Sequence, residues 1–261
     1  MKQYIVDAFA DRVFSGNQAA VCVLDEWPAD VLMQSIAKEN RFSETAFTVK
    51  EGDVYHLRWF TPSGEIDFCG HATLGATFVL FRYYEKNAEN IRFRTQVGEL
   101  TVTRENDLYQ MDFPAYQCRE IPITDTMEEA LGIRPVEAYL DRDLLLVLPD
   151  ADTVRFLAPD SGKLLQLDGL LTVVTAVSDL PEYDCVSRVF APKLGIEEDP
   201  VTGSSHCMIT PYWCGRLKKK SLVCYQASER KGLLYTRQKE NRIEVAGKAV
   251  LYSEGEILKE I

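Results

Sequence analysis

The chain has little positive charge to spare, few histidines and no long apolar run, and each shortage removes a class of function. Against 40 acidic residues stand 29 lysines and arginines, a formal net charge of −11. No broad cationic surface is therefore left over for nucleic acid or an anionic membrane. The one basic run, Arg216 to Lys220, closes a helix-like stretch, where cations complement the negative end of the helix dipole. No segment approaches the ~20 apolar residues of a membrane span. The opening MKQYIVDAF has neither the apolar region nor the small-residue cleavage site of a secretory leader, so a cytoplasmic protein is expected. Seven cysteines, odd in number and scattered, fit a reducing compartment better than a disulfide framework. A P-loop, a GxGxxG after a strand and a GxSxG elbow are also missing, which takes the usual support from nucleotide-binding and hydrolase readings.

What is present is an ordinary globular composition, 46% apolar and 26% charged, in 261 residues. That length suffices for two modest domains, each with its own core. Strand-like runs are expected at residues 2–9, 19–24, 45–49 and 54–60, with a first helix over 30–38. Residues 71–84 leave no clearly polar face, and a helix apolar nearly all round must be surrounded by protein. Strands over 91–94, 99–104 and 108–113 complete a first unit, a curved sheet around one central helix. The second half repeats the arrangement. A capping box from Thr126 to Glu129 opens a short helix ending at Gly132. Strands follow at 144–148, 171–177 and 186–191, then an apolar helix over 206–217 kinked at Pro211, then four more strands. The expected fold is α+β: two pseudo-symmetric halves, residues 1–115 and 116–261, each a curved, mostly antiparallel β-sheet or barrel around a central helix.

Each half places a glycine-containing loop before its encased helix. A helix N-terminus offers unpaired N–H groups and partial positive charge, so Gly70 and Gly203 suit a receptacle for carboxylates, or simply make the turns into their helices. His71 falls in the first turn of the first helix, where the positive helix end would favour the neutral imidazole. Of the other two histidines, His56 lies in a strand alternation facing solvent and His206 reads as an interior residue. Glu44 enters an apolar strand between Phe42 and Phe47, and Asp199 lies in the loop leading to the second helix. A carboxylate beside apolar rings titrates nearer neutrality, as a general acid or base must, although either residue could instead be a solvated turn or a cap. Cys69, before Gly70, could be a base or nucleophile but has no evident partner. A metal set drawn from Cys69, His71, His206 and Cys207 shows no recognisable ligand spacing, so no metal is expected.

Taken together, VDAF, FSGN followed by Ala-Ala-Val, FSETAF, FTPSGEIDFCGHATLGA, EDPVTGSSHC followed by PYW, and a weaker YQAS resemble the PhzF family of phenazine-biosynthesis-like isomerases, of the diaminopimelate epimerase superfamily, in family order. The resemblance implies an isomerase with its site in a cleft between two similar halves. It implies that Glu44 shuttles a proton, that His71 and Asp199 assist, and that Gly70, Ala72, Thr202, Gly203 and Ser204 contact a small carboxylate-bearing substrate. It further implies no metal or organic cofactor and a homodimer. Related diaminopimelate epimerases use two cysteines; Cys69 matches the first, but Pro200 stands at the second. Gln18 also departs from the family's usual proline. An epimerase using Cys69 with a carboxylate, or a protein that binds a small molecule without turnover, are the competing readings.

Overall fold

The computed structural model describes residues 1–258 as two compact units. Unit 1 is Met1–Asp112 together with the segment from Ala246, and unit 2 is Phe113–Val245.

Unit 1 begins with β1 (Lys2–Ala8) and β2 (Asn17–Leu24), an antiparallel pair. Gly16 makes the turn into β2 with a φ of 69°, and a Cβ there would lie 2.2 Å from the Ala8 carbonyl oxygen, so a side chain at this position collides with the neighbouring strand. Helix α1 (Asp30–Asn40) buries Met33, Ile36 and Ala37, the one face that i, i+3, i+4 spacing provides. That face packs on Cys22, Phe47 and Phe60, and Met33→Ala there should cost about 2–5 kcal/mol. Strand β3 (Glu44–Glu51) pairs parallel with β2 and antiparallel with β4 (Val54–Phe60). In β4 burial alternates from Val54 to Trp59, with Tyr55, Leu57 and Trp59 buried and His56 and Arg58 half-exposed, and Phe60 closes the strand buried. After the short β5 (Glu65–Ile66) comes α2 (Gly70–Val79), every residue of which is buried, packed on β1, β2 and β3.

An all-buried helix must satisfy its polar side chains internally. Thr73 and Thr77 do so by donating to the carbonyls of Cys69 and Thr73, one turn back. The helix widens into a π turn at Leu80–Tyr84, closed by the Glu85 N–H on the Leu80 carbonyl. Strands β6 (Asn90–Thr95), β7 (Gly98–Glu105) and β8 (Leu108–Pro114) follow as an antiparallel run, β6 lying parallel to β4.

Unit 2 holds β9 (Arg119–Glu120), α3 (Asp125–Leu131), β10 (Glu137–Leu140), β11 (Leu144–Val147), α4 (Ala151–Arg155), α5 (Ser161–Leu164), β12 (Thr172–Val177), β13 (Cys185–Phe190) and β14 (Glu198–Asp199). Then come α6 (His206–Leu217), β15 (Ser221–Gln226), β16 (Gly232–Lys239) and β17 (Arg242–Gly247). Most pairings are antiparallel, the exceptions being β11 with β12 and β13 with β15. The expected helix start from Thr126 is corrected: Thr124 is the N-cap, its hydroxyl accepting the Met127 N–H at 3.3 Å, and Asp125 complements the dipole in the first turn. Gly132 ends the helix at a φ of 73°. Pro211 sits inside α6, which continues to Leu217. Trp213 pins this helix to the sheet, its indole N–H donating to Thr175 Oγ1, which in turn donates to the Val186 carbonyl.

The last strand, β18 (Ala249–Glu256), pairs antiparallel with β1. The chain thus returns to unit 1, where the sequence patterning had assigned these residues to the second half. A strand's partner is a non-local choice that period-2 alternation does not encode. Among the described residues, no helix is long and apolar enough to cross a membrane.

Candidate active site

The site residues expected from the sequence form two groups, one in each unit. In unit 1, Glu44 is the first residue of β3, and Gly70, His71 and Ala72 open α2 just after Cys69. Burial of the apolar helix fixes its start against the sheet, so His71 is 5% exposed and Cys69 7%. His71 Nε2 lies 2.9 Å from Glu44 Oε2. This contact has ion-pair distance without hydrogen-bond alignment, since Oε2 is buried and makes no hydrogen bond. On the other side of the ring, Nδ1 meets the Asn17 side-chain amide at 3.1 Å. As placed, Asn17 donates to Nδ1, which puts the proton of a neutral ring on Nε2, facing Glu44; an imidazolium requires the Asn17 amide to turn its oxygen to Nδ1. Cys69 Sγ stands 3.5 Å from Nδ1 and 3.9 Å from Nε2.

The electrostatics reverse one expectation. Burial alone would disfavour a charged His71, but a Cys69 thiolate, the Glu44 carboxylate and the contacts with both outweigh it, and its pKa is held well above the ordinary value. Burial, then the Glu44 charge, push the Cys69 thiol up to about 11. Cys69 is therefore a thiol near neutrality, where the Glu44 carboxylate is the charged group left in contact with the imidazole. The positive helix end, expected to favour neutral imidazole, is overridden by a carboxylate in direct contact.

In unit 2, Asp199 ends β14 and accepts from the Thr202 hydroxyl at 2.5 Å. Gly203 and Ser204 form the turn into α6, their carbonyls accepting from His206 and Cys207 N–H. Gln226, fully buried, holds this loop from both sides: its carbonyl accepts the Thr202 N–H at 2.9 Å and its amide donates to the Asp199 carbonyl at 2.8 Å. Ser228 adds a bond to the Pro200 carbonyl. His206 Nδ1 donates to the Thr202 carbonyl at 2.9 Å. Within unit 1, Glu44, Cys69 and His71 hold their donor atoms within 4.8 Å of one another, alone among the described residues.

Sequence reading passed over Asn17 and Gln226 as positioning residues. The available signal was an amide placed where an apolar strand begins or ends. Neither α2 nor α6 has a side-chain cap, nor does α1, whereas α3, α4 and α5 are capped by Thr124, Asp150 and Asp160.

Comparison with known proteins places the chain in a family. The model of the PhzC-PhzF family, described as phenazine biosynthesis-like protein, matches residues 6–255. A Pseudomonas aeruginosa protein named as an uncharacterized isomerase is 47% identical over 253 residues, covering 97% of this chain and 96% of its own. The crystal structure of a PhzF family phenazine biosynthesis protein from Enterococcus faecalis matches at 51% identity and a TM-score of 0.96, over 99% of each chain. A probable proline racemase from Agrobacterium radiobacter, at 8% identity, shares the fold alone with a TM-score of 0.64 over 98% of this chain and 92% of its own. With a family match along nearly its whole length and relatives named as isomerases, the chain belongs to the PhzC-PhzF family and is an isomerase.

Proposed function

We propose that this isomerase moves a proton within a small carboxylate-bearing metabolite, amino acid-like or cyclic, with Glu44 abstracting and returning the proton. The observation that carries the reading is the 2.9 Å contact between Glu44 Oε2 and His71 Nε2 at the start of a wholly buried helix. A carboxylate with a charged imidazole beside it can take a proton from carbon while the imidazolium stabilises the anion that develops. Asn17 orients the ring. The uncapped start of α2, with Gly70 and Ala72, supplies backbone donors and dipole for a carboxylate. Asp199, Thr202, Gly203 and Ser204 are proposed to contact substrate, as the family resemblance implies, in a cytoplasmic homodimer that needs no cofactor.

The test is a thermal-shift screen of small amino- and hydroxycarboxylates, since a ligand of the folded state raises Tm by mass action. Compounds that raise Tm are then incubated with the enzyme in D2O. Enzyme-dependent deuterium incorporation at a substrate carbon is expected; ligands that bind and never exchange would support a binding protein instead. The epimerase reading through Cys69 has one observation in its favour, the 3.5 Å approach of Sγ to His71. A thiol titrating at about 11 is a poor base near neutrality. Cys69→Ser is accordingly expected to keep exchange within about tenfold of the unmodified enzyme, far short of the ~10²–10⁴-fold loss that follows removal of a true acid–base group.

A further inference from the structure

The two faces of the sheet in unit 2 differ in kind. Val174, Ala176, Val186, Tyr225 and Ala227 point into an apolar core. Thr175, Cys185, Ser187, Cys224 and Gln226, their neighbours along the strands, are fully buried and turn the other way, because successive side chains of a strand alternate. That second face lies under α6: Trp213 of the helix donates to Thr175, and Gln226 holds the Thr202 loop from which the helix starts. Ser187 stands between these two anchors, in register with Thr175 on one side and with Gln226 on the other. On the helix, His206, Thr210 and Trp213 are spaced i, i+4, i+7 and share the face that Trp213 lays on the sheet. His206 Nε2, Thr210 Oγ1 and Ser187 Oγ, on these facing surfaces, are buried and make no hydrogen bond within the protein.

We propose that an internal water molecule binds between α6 and β13, donating to His206 Nε2 and bridging to Thr210 Oγ1 and Ser187 Oγ. The chemistry of the three atoms matches it. His206 Nδ1 donates to the Thr202 carbonyl, so Nε2 of the neutral ring is an acceptor, and each hydroxyl can donate or accept. A water gives one proton to Nε2, the second to one hydroxyl, and accepts from the other, which is the usual coordination of a buried water. Cys224 also interacts with His206 from the sheet, but a thiol is a weak donor, and its Sγ meets Thr236 Oγ1 at 3.6 Å. The water locks the Nδ1–H tautomer and with it the bond to the Thr202 carbonyl. It is thus a second hold, beside Gln226, on the loop from Asp199 to Ser204. The site does not depend on the function proposed above.

The experiment is deuteron magnetic relaxation dispersion on the full chain, which counts long-lived internal waters, together with the nitrogen-15 resonances of the His206 ring. Ser187→Ala combined with Thr210→Val removes both hydroxyls with little change in volume. The count should fall by about one, and the Nε2 resonance should move toward that of an unbonded pyridine-type nitrogen. Thr124→Ala, which alters only the capping of α3, should leave both readouts in place. Should the double variant not fold, Thr210→Val alone should still shift the Nε2 resonance, and a high-resolution crystal structure of the unmodified protein should show a water roughly 2.7–3.2 Å from Nε2. An unchanged count, or a neutral His206 protonated on Nε2 in the unmodified protein, would overturn the proposal. So would an Nε2 resonance that moves in Cys224→Ala and stays put in the double variant, which would assign the tautomer to the thiol.

Discussion

His71 is the second residue of α2 and His206 the first of α6, both buried at the head of a largely apolar helix, but their surroundings differ. His71 faces a carboxylate, which favours the imidazolium. His206 faces a peptide carbonyl through Nδ1, which fixes a tautomer, and its Nε2 makes no hydrogen bond. The same architectural position is therefore used once to hold a proton and once to hold a loop. In unit 1 the amide, Asn17, serves the histidine; in unit 2 the amide, Gln226, serves the backbone that presents Asp199 and Thr202.

The sharpest way to break this comparison is to remove the charge on one side only. Glu44→Gln keeps shape and should leave folding nearly unchanged, while proton exchange falls by about 10²–10⁴-fold, the range for loss of a general base. In unit 2 the corresponding change should register in stability. Gln226→Leu removes the acceptor of the buried Thr202 N–H and the donor to the Asp199 carbonyl, and urea unfolding should show a loss of about 2 kcal/mol.

The smallest effect separates capped from uncapped helices. Thr124→Ala removes a working cap and should cost about 1 kcal/mol. Ser205→Ala, at the N-cap of α6, removes a buried hydroxyl that has no partner and should be neutral or stabilising. Equal losses in the two variants would mean that Ser205 caps α6 after all.

Much of this was legible in the sequence because it is local. The apolar stretch after Cys69 announces a buried helix, the alternation in Val54–Phe60 announces a half-buried strand, and the motifs around Glu44, His71 and Asp199 carry the family resemblance. What escaped depends on distant partners. The sign of the charge on His71 is set by Glu44, on another element, and the helix dipole visible locally is the weaker influence. Two threonines near the start of α3 make its capping register ambiguous until the backbone is seen. The pairing of β18 with β1 joins opposite ends of the chain, and Gln226 is a loop-holding residue only because β15 brings it beside Thr202.

The central claim, that Glu44 and His71 form one proton-holding unit, can be tested without a substrate by following the His71 ring signals with pH in NMR, in the unmodified protein and in Glu44→Gln. A folded pKa raised above ~6.5 means that His71 contributes its full stabilisation below that value and loses it as pH rises through the folded pKa. The unmodified protein should therefore show a His71 midpoint well above 6.5, with stability falling across that window, and Glu44→Gln should move the midpoint down. A midpoint at or below 6.5 in the unmodified protein, or one that Glu44→Gln leaves in place, would contradict the claim.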